Sequence, residues 1–263
     1  MARAQSLDDV APGLDEVIPR PKPELLKADI EKGLCVVNAI LRSTDEELTN
    51  RSFLLSQFHK YGIPLLKPEF FNPWVPYMNR SGFGALQVPT EYIDCLRILM
   101  TRDIESAIEI GVYRGGFSYF TAAVLQRVNP NFRMTLVDPW DSLLGFDEFC
   151  SKLNLVKAIP KTSADFVGQS FDFVFIDGDH TYEGAIQDFR NVGVHARKAM
   201  GFHDIHDHSP GHGTVQAWNE IKLEMCPTHE VYEFAHAIER GLGIGLVATP
   251  GAHRLVLPRP QAA

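Results

Sequence analysis

The sequence predicts an α/β protein built around an open, mostly parallel sheet, and three observations carry that prediction. Ala107 to Ile110 is a short apolar run, broken by Gly111 and then by Gly115-Gly116, the pattern of a buried strand entering a tight turn. Phe117, Phe120, Thr121, Val124, Leu125 and Val128 then recur at helical spacing until Asn129-Pro130-Asn131 ends the run. Met134 to Val137 is apolar again and closes on an acid, Asp138. Strand, glycine turn, helix, strand and acid make up the first half of a nucleotide-binding sheet.

The remaining elements follow from the same patterns. Asp141 to Asn154 reads as a helix, Val156 to Ile159 as a third strand and Phe173 to Ile176 as a fourth, ending in Asp177-Gly178-Asp179-His180. Glu183 to Lys198 is helical, Met200 to Phe202 is a fifth strand, and HDIHDHSPGHG is a histidine-rich loop before a helix over Gly213 to Met225. Val231 to Phe234 and Leu242 to Ala248, joined through HAIERG, form a closing antiparallel pair, which brings the strands to seven. Upstream, residues 1–23 are rich in proline and acids and read as a loose tail. Pro23 to Tyr61 is helical, with Thr44 and Glu47 spaced as a capping box. PLLKPEFFNPWVPYMNRSGFG is rich in proline and aromatics and reads as a packed loop, or else as a lid or dimer contact. Pro89 starts a helix over Thr90 to Met100. Two regions result: a tail with a helical or lid extension over 1–85, and a catalytic domain over 86–263.

Composition narrows the partners. With 45% hydrophobic and 22% charged residues, the chain has the make-up of a soluble globular protein. A formal net charge of -8 argues against broad contact with nucleic acid or an anionic membrane. Cys35, Cys95, Cys150 and Cys226 contain no C-x-x-C pair and suit a reducing compartment. With no apolar stretch of membrane length and no signal-peptide core, the expected location is the cytoplasm. A homo-oligomer is left open.

The glycine turn specifies what kind of nucleotide. A dinucleotide fold needs G-x-G-x-x-G so that the backbone can touch a pyrophosphate. Here Tyr113 stands at the second position and would crowd it, and Glu109 before the turn would repel phosphate. S-adenosylmethionine fits better: its sulfonium and amino group favour acids nearby, and its ribose diol needs a carboxylate acceptor such as Asp138. E-x-G-x-x-x-G followed by that acid resembles the first two motifs of class I S-adenosylmethionine-dependent methyltransferases, whose sheet is Rossmann-like and seven-stranded. FVFIDGDHTYEGAIQDF together with GFHDI resembles, within that class, the group of macrocin and other macrolide-sugar O-methyltransferases and their bacterial glycan relatives. The resemblance covers Leu86 to Thr249.

That resemblance implies cofactor contacts at Gln87, Glu109, Gly111, Tyr113, Gly115, Asp138, Ser163 and Asp177, with Trp140 flanking the adenine or simply packing. It implies a divalent ion, magnesium or manganese, held by Asp177, His203 and Asp204, with His180 as the base. His203 stands where oxygen donors are usual, and a nitrogen donor suits manganese, iron or zinc better than magnesium. The acceptor would be a hydroxyl of a sugar, glycan or small natural product. Plainer roles compete: Asp177 or Asp179 could cap the following helix, His180 could bond a loop, and His206, His208 and His212 could be solvated. So do other functions. They are a metal-independent methyltransferase using His180 alone, a nicotinamide oxidoreductase (disfavoured by Tyr113), a metal hydrolase on the histidine loop, and a non-catalytic nucleotide-binding module.

Overall fold

The computed structural model describes residues 23–61, 87–236 and 242–251. The expected tail, the proline-aromatic segment with its lid or dimer role, and most of the HAIERG connection lie outside these residues. Three helices come first: α1 (Pro23–Leu41), α2 (Asp45–Thr49) and α3 (Arg51–Lys60). The capping box at α2 is present as read, with Glu47 N donating to Thr44 Oγ1 and Thr44 N donating to the Glu47 carboxylate. Helix α4 (Pro89–Leu99) begins on its proline, where the missing N–H costs nothing.

The sheet follows: β1 (Ser106–Ile110), α5 (Gly116–Val128), β2 (Arg133–Val137), α6 (Phe146–Cys150), β3 (Leu155–Ala158), β4 (Phe173–Ile176), α7 (Tyr182–Asn191), β5 (Ala199–His203), α8 (Thr214–Met225), β6 (Glu230–Phe234) and β7 (Ile244–Ala248). The strand order is β3-β2-β1-β4-β5-β7-β6. The first five strands are parallel, and β7 is antiparallel to both β5 and β6, as the terminal pair requires. The order reverses between β1 and β4, and a crevice opens above the carboxyl ends there.

Alternation along the strands builds two cores. Ala107, Met134, Leu136, Phe173, Phe175, Ile244 and Leu246 point to one face, where they meet α5 and the N-terminal helices. Ile108, Ile110, Val174, Ile176 and Val247 point to the other and pack with Phe189 of α7 and Trp218 of α8. Phe117 of α5 stacks on Phe175, with ring centroids 4.0 Å apart. Val37 and Phe58 of the helical extension are fully buried in the first core, so the extension is continuous with the sheet's own packing.

Two helices are shorter than the sequence reads. Between Asp141 and Asn154 only α6 is helical, because Gly145 takes φ +66° and Asp141 turns away to pair with Lys157. The helix expected over Glu183 to Lys198 stops at Asn191 and passes into a single tight turn, Gly193–His195. There Gly193 sits so close to Phe189 that a β-carbon would lie 2.8 Å from its ring, which fixes the change of direction.

At the end of the sheet opposite the crevice, Asp172 joins three strands. Its Oδ2 accepts from Glu105 N and Ser106 N at the start of β1, and its Oδ1 accepts from Arg197 Nε before β5. These bonds and the Lys198 charge hold its carboxyl below the usual range despite burial.

A second buried acid behaves oppositely. Asp188 of α7 accepts a 2.6 Å bond from Ser163, yet burial pushes it up to about 6. Its folded pKa lies above its unfolded value, so its contribution to stability is present below pH ~4 and is lost as pH rises through ~6. Asp188→Asn is therefore expected to stabilise the fold by about 1–3 kcal/mol at pH 7.5 and to be neutral near pH 4, read by urea unfolding at both pH values. Equal effects at the two pH values would refute this.

Candidate active site

Three strand ends meet above the crevice. At β1, Gly111 N donates to Val137 O (2.9 Å), and Gly111 turns with φ +85°. A β-carbon on Gly111 would lie 2.1 Å from Asp177 O, so only glycine lets the turn lie against the end of β4. Tyr113 also has positive φ, and Gly115 (φ +86°) admits the start of α5. Asp138, at the end of β2, holds this turn: Oδ2 accepts from Val112 N and Tyr113 N, and Oδ1 from Trp140 N. Burial raises its pKa above the ordinary carboxylate value, with these three bonds opposing. Trp140 beside it is half exposed, with its ring available to a ligand.

Two expected contacts are placed differently. Glu109 is fully buried and accepts a 2.6 Å bond from Ser118 of α5. Burial, reinforced by Asp177 and Asp138, pushes its pKa well above the carboxylate range, and its bond to Ser118 ties β1 to α5 beneath the turn. Ser163 donates to Asp188 and accepts from Asn191 Nδ2, so its hydroxyl is engaged with α7. Gln87, by contrast, reaches the centre: its Nε2 donates to Asp177 Oδ2 at 3.1 Å, while its buried Oε1 has no partner among the described residues.

The ends of β4 and β5 bring two carboxylates and two imidazoles together. His203 Nδ1 lies 3.1 Å from Asp177 Oδ1 and 3.1 Å from Asp204 Oδ1. On the solvent side His180 Nε2 lies 3.7 Å from Asp177 Oδ1 and 3.5 Å from Asp204 Oδ2. The paired acids separate: burial alone would raise Asp177, but the two imidazoles hold it below the usual range, whereas burial dominates at Asp204 and raises it. Burial would likewise lower both histidines, yet the carboxylates push His180 up to about 9 and His203 to about 10. Asp204 stands at φ +58°, a conformation that turns its side chain back toward β4.

Two features differ from the sequence expectation here. The donor atoms of Asp177, His180 and Asp204 lie within 4.8 Å of one another, so His180, expected only as a base, stands in that group, while the expected ligand His203 instead sets its Nδ1 3.1 Å from both carboxylates. Asp179 takes the plainer role, accepting from Thr181 N at the start of α7. Asp207, which the sequence reading passed over, is buried and pairs with His212; the histidine-rich HDIHDHSPGHG loop that carries both was the available signal.

Comparisons with known proteins agree with this architecture. Residues 108–207 match the Methyltransf_24 family, a methyltransferase domain. That match lies within the parallel part of the sheet, so residues 108–207 are similar to a methyltransferase domain in both sequence and fold. Among curated proteins, the uncharacterized protein y4gI of Sinorhizobium fredii is 28% identical over 187 residues, 63% of this chain, and the chain spans 19% of that relative's length. Among solved structures, the O-methyltransferase NovP aligns with TM-score 0.52 at 11% identity, covering 77% of this chain and all (100%) of NovP. The O-methyltransferase TomG of Streptomyces achromogenes, solved with S-adenosylmethionine, aligns at 0.45 and 16% identity over 80% of this chain and 92% of its own. No helix among the described residues is long and apolar enough to cross a membrane.

Proposed function

We propose that the protein is an S-adenosylmethionine-dependent O-methyltransferase that acts, with a divalent ion, on a hydroxyl of a sugar, glycan or small natural product. The observation that carries this reading is the meeting of the glycine turn with the Asp177, His180, His203 and Asp204 cluster over one crevice. Both groups fit the residues present. For S-adenosylmethionine, Gln87 Oε1 is a buried acceptor with no partner among the described residues, and Trp140 gives a half-exposed ring beside the turn that Asp138 holds. For the ion, donors 3.1 to 3.7 Å apart match the spacing of ligands about 2.1 Å from a common centre.

S-adenosylmethionine, when bound, supplies an electrophilic methyl group on a sulfonium. A divalent ion, when bound, would lower the pKa of an acceptor hydroxyl and screen the two carboxylates from each other. Asp177 and Asp204 would hold it, with His203 as third donor. Asp138 positions the turn against the ribose end, and Gln87 ties that end to Asp177. His180, on the open side of the carboxylates, takes the hydroxyl proton. Unaided, it would do so poorly at neutral pH, because two unshared carboxylates keep the ring protonated up to about 9. This favours the ion-assisted reading over His180 alone.

Calorimetry tests the cofactor: S-adenosylhomocysteine is expected to bind and NAD far more weakly. Tight NAD binding with no S-adenosylhomocysteine heat would end the methyltransferase reading. Excess EDTA is expected to stop methyl transfer and manganese to restore it. Full turnover in EDTA, rising toward pH 9, would leave His180 as the unaided base.

A further inference from the structure

The loop after β5 brings Asp207 and His212, which the methyltransfer reading leaves unused, beside His180. His180, Asp207 and His212 each offer one ligand atom, and these atoms lie within 4.8 Å of one another. We propose that these three residues form a separate, nitrogen-rich seat for a transition-metal cation of the zinc, cobalt or nickel class.

The donor set sets the selectivity. Two imidazoles and one carboxylate suit borderline ions that take nitrogen, whereas the Asp177 and Asp204 pair offers mainly oxygen and suits magnesium or manganese.

The seat is built, not a chance meeting of solvated side chains. His180 and His212 come from loops 32 residues apart in sequence, and Gly213 N donates to His180 O at 2.8 Å to fasten one to the other. That approach needs glycine, since a β-carbon on Gly213 would lie 2.4 Å from Tyr182 N. The two rings meet edge to face with centroids 4.9 Å apart. Asp207 is 3% exposed, its Oδ1 accepts from Ser209 N at 2.9 Å, and its Oδ2 faces His212 Nδ1. A buried carboxylate oriented by a backbone amide and aimed at an imidazole has the support that metal-ligating carboxylates receive. The outer side is open to a cleft of about 550 Å³ lined by Asp207, His208, His212, Gln216, Asn219 and Glu220, which leaves room for water or a further ligand.

Binding at this seat is independent of the methyltransferase reading; its consequence rests on it. A neutral imidazole has one lone pair, so His180 engaged by a cation cannot also accept the acceptor's proton. The seat is thus inhibitory, and zinc occupying it would silence the enzyme while the cofactor stays bound.

Cobalt(II) chloride and zinc chloride titrated into the full chain test this, with cobalt read by its visible spectrum and zinc by competition. Wild-type protein is expected to give one tetrahedral cobalt band set per chain, displaced by zinc. His212→Gln and Asp207→Asn should each weaken zinc by at least tenfold while leaving manganese binding and S-adenosylhomocysteine binding within about twofold, and Asp204→Asn should do the reverse for manganese. The factors assume the 10-fold or greater loss usual when one element of a metal site is removed. Zinc affinity unchanged in both His212→Gln and Asp207→Asn, or no tetrahedral cobalt spectrum in the wild type, would overturn the seat. Absence of S-adenosylhomocysteine binding with intact zinc binding would instead overturn only the methyltransferase reading.

Discussion

Gly111→Ala is expected to abolish S-adenosylhomocysteine binding and to cost about 3–5 kcal/mol of folding stability, the sum of a left-handed alanine and an overpacked backbone. The added carbon would lie 2.1 Å from Asp177 O and 2.7 Å from Gly178 Cα, and both are backbone atoms that cannot rotate aside. Relief requires β1 and β4 to part at their carboxyl ends, which also breaks the bond from Asp177 N to Ile110 O. Chemical denaturation and calorimetry on the same preparation read the two effects together. A variant with wild-type stability would mean that the turn does not lie against β4 as described. Gly168→Ala is a suitable control, because Gly168 shares a positive φ but has nothing within 4 Å of its added carbon.

The second large effect is on turnover. His180→Ala is expected to lower methyl transfer by about two to four orders of magnitude, the usual share of general-base catalysis. S-adenosylhomocysteine affinity should stay within about twofold, since His180 faces the open side of the carboxylates and the glycine turn lies beyond them. Transfer of radiolabelled methyl to hydroxyl acceptors, measured beside cofactor binding, separates the two quantities. Wild-type rates in the variant would reduce His180 to a loop residue.

The parts of this molecule that were legible in the sequence are those where local chemistry and tertiary position agree. The strands at Ala107–Ile110 and Phe173–Ile176 are apolar because they are covered on both faces, and the acids that end β2 and β4 stand at strand ends for the same topological reason. Legibility failed where a contact distant in sequence decides the outcome. Glu109 reads as a charge facing a ligand, yet its partner is Ser118 on the next helix, and burial raises its pKa well above the carboxylate range. Ser163 stands at the expected place in the chain, but Asp188 and Asn191, 25 and 28 residues on, take its hydroxyl. Gly145 alone gave no sign that it would cut a helix down to Phe146–Cys150. His212 reads as a solvated loop histidine; only the fold shows Asp207 beside it.

The bonds around Asp172 have a consequence at the far end of the sheet. By tying the starts of β1, β4 and β5 together, they fasten the sheet at its base, so the loops above those strands inherit a fixed footing without having to supply it. Loops freed from holding the scaffold can change length and composition at little cost to folding. The chain is in this sense a mount with an exchangeable top: the loop residues beyond Asp204 can be replaced while the base keeps its shape.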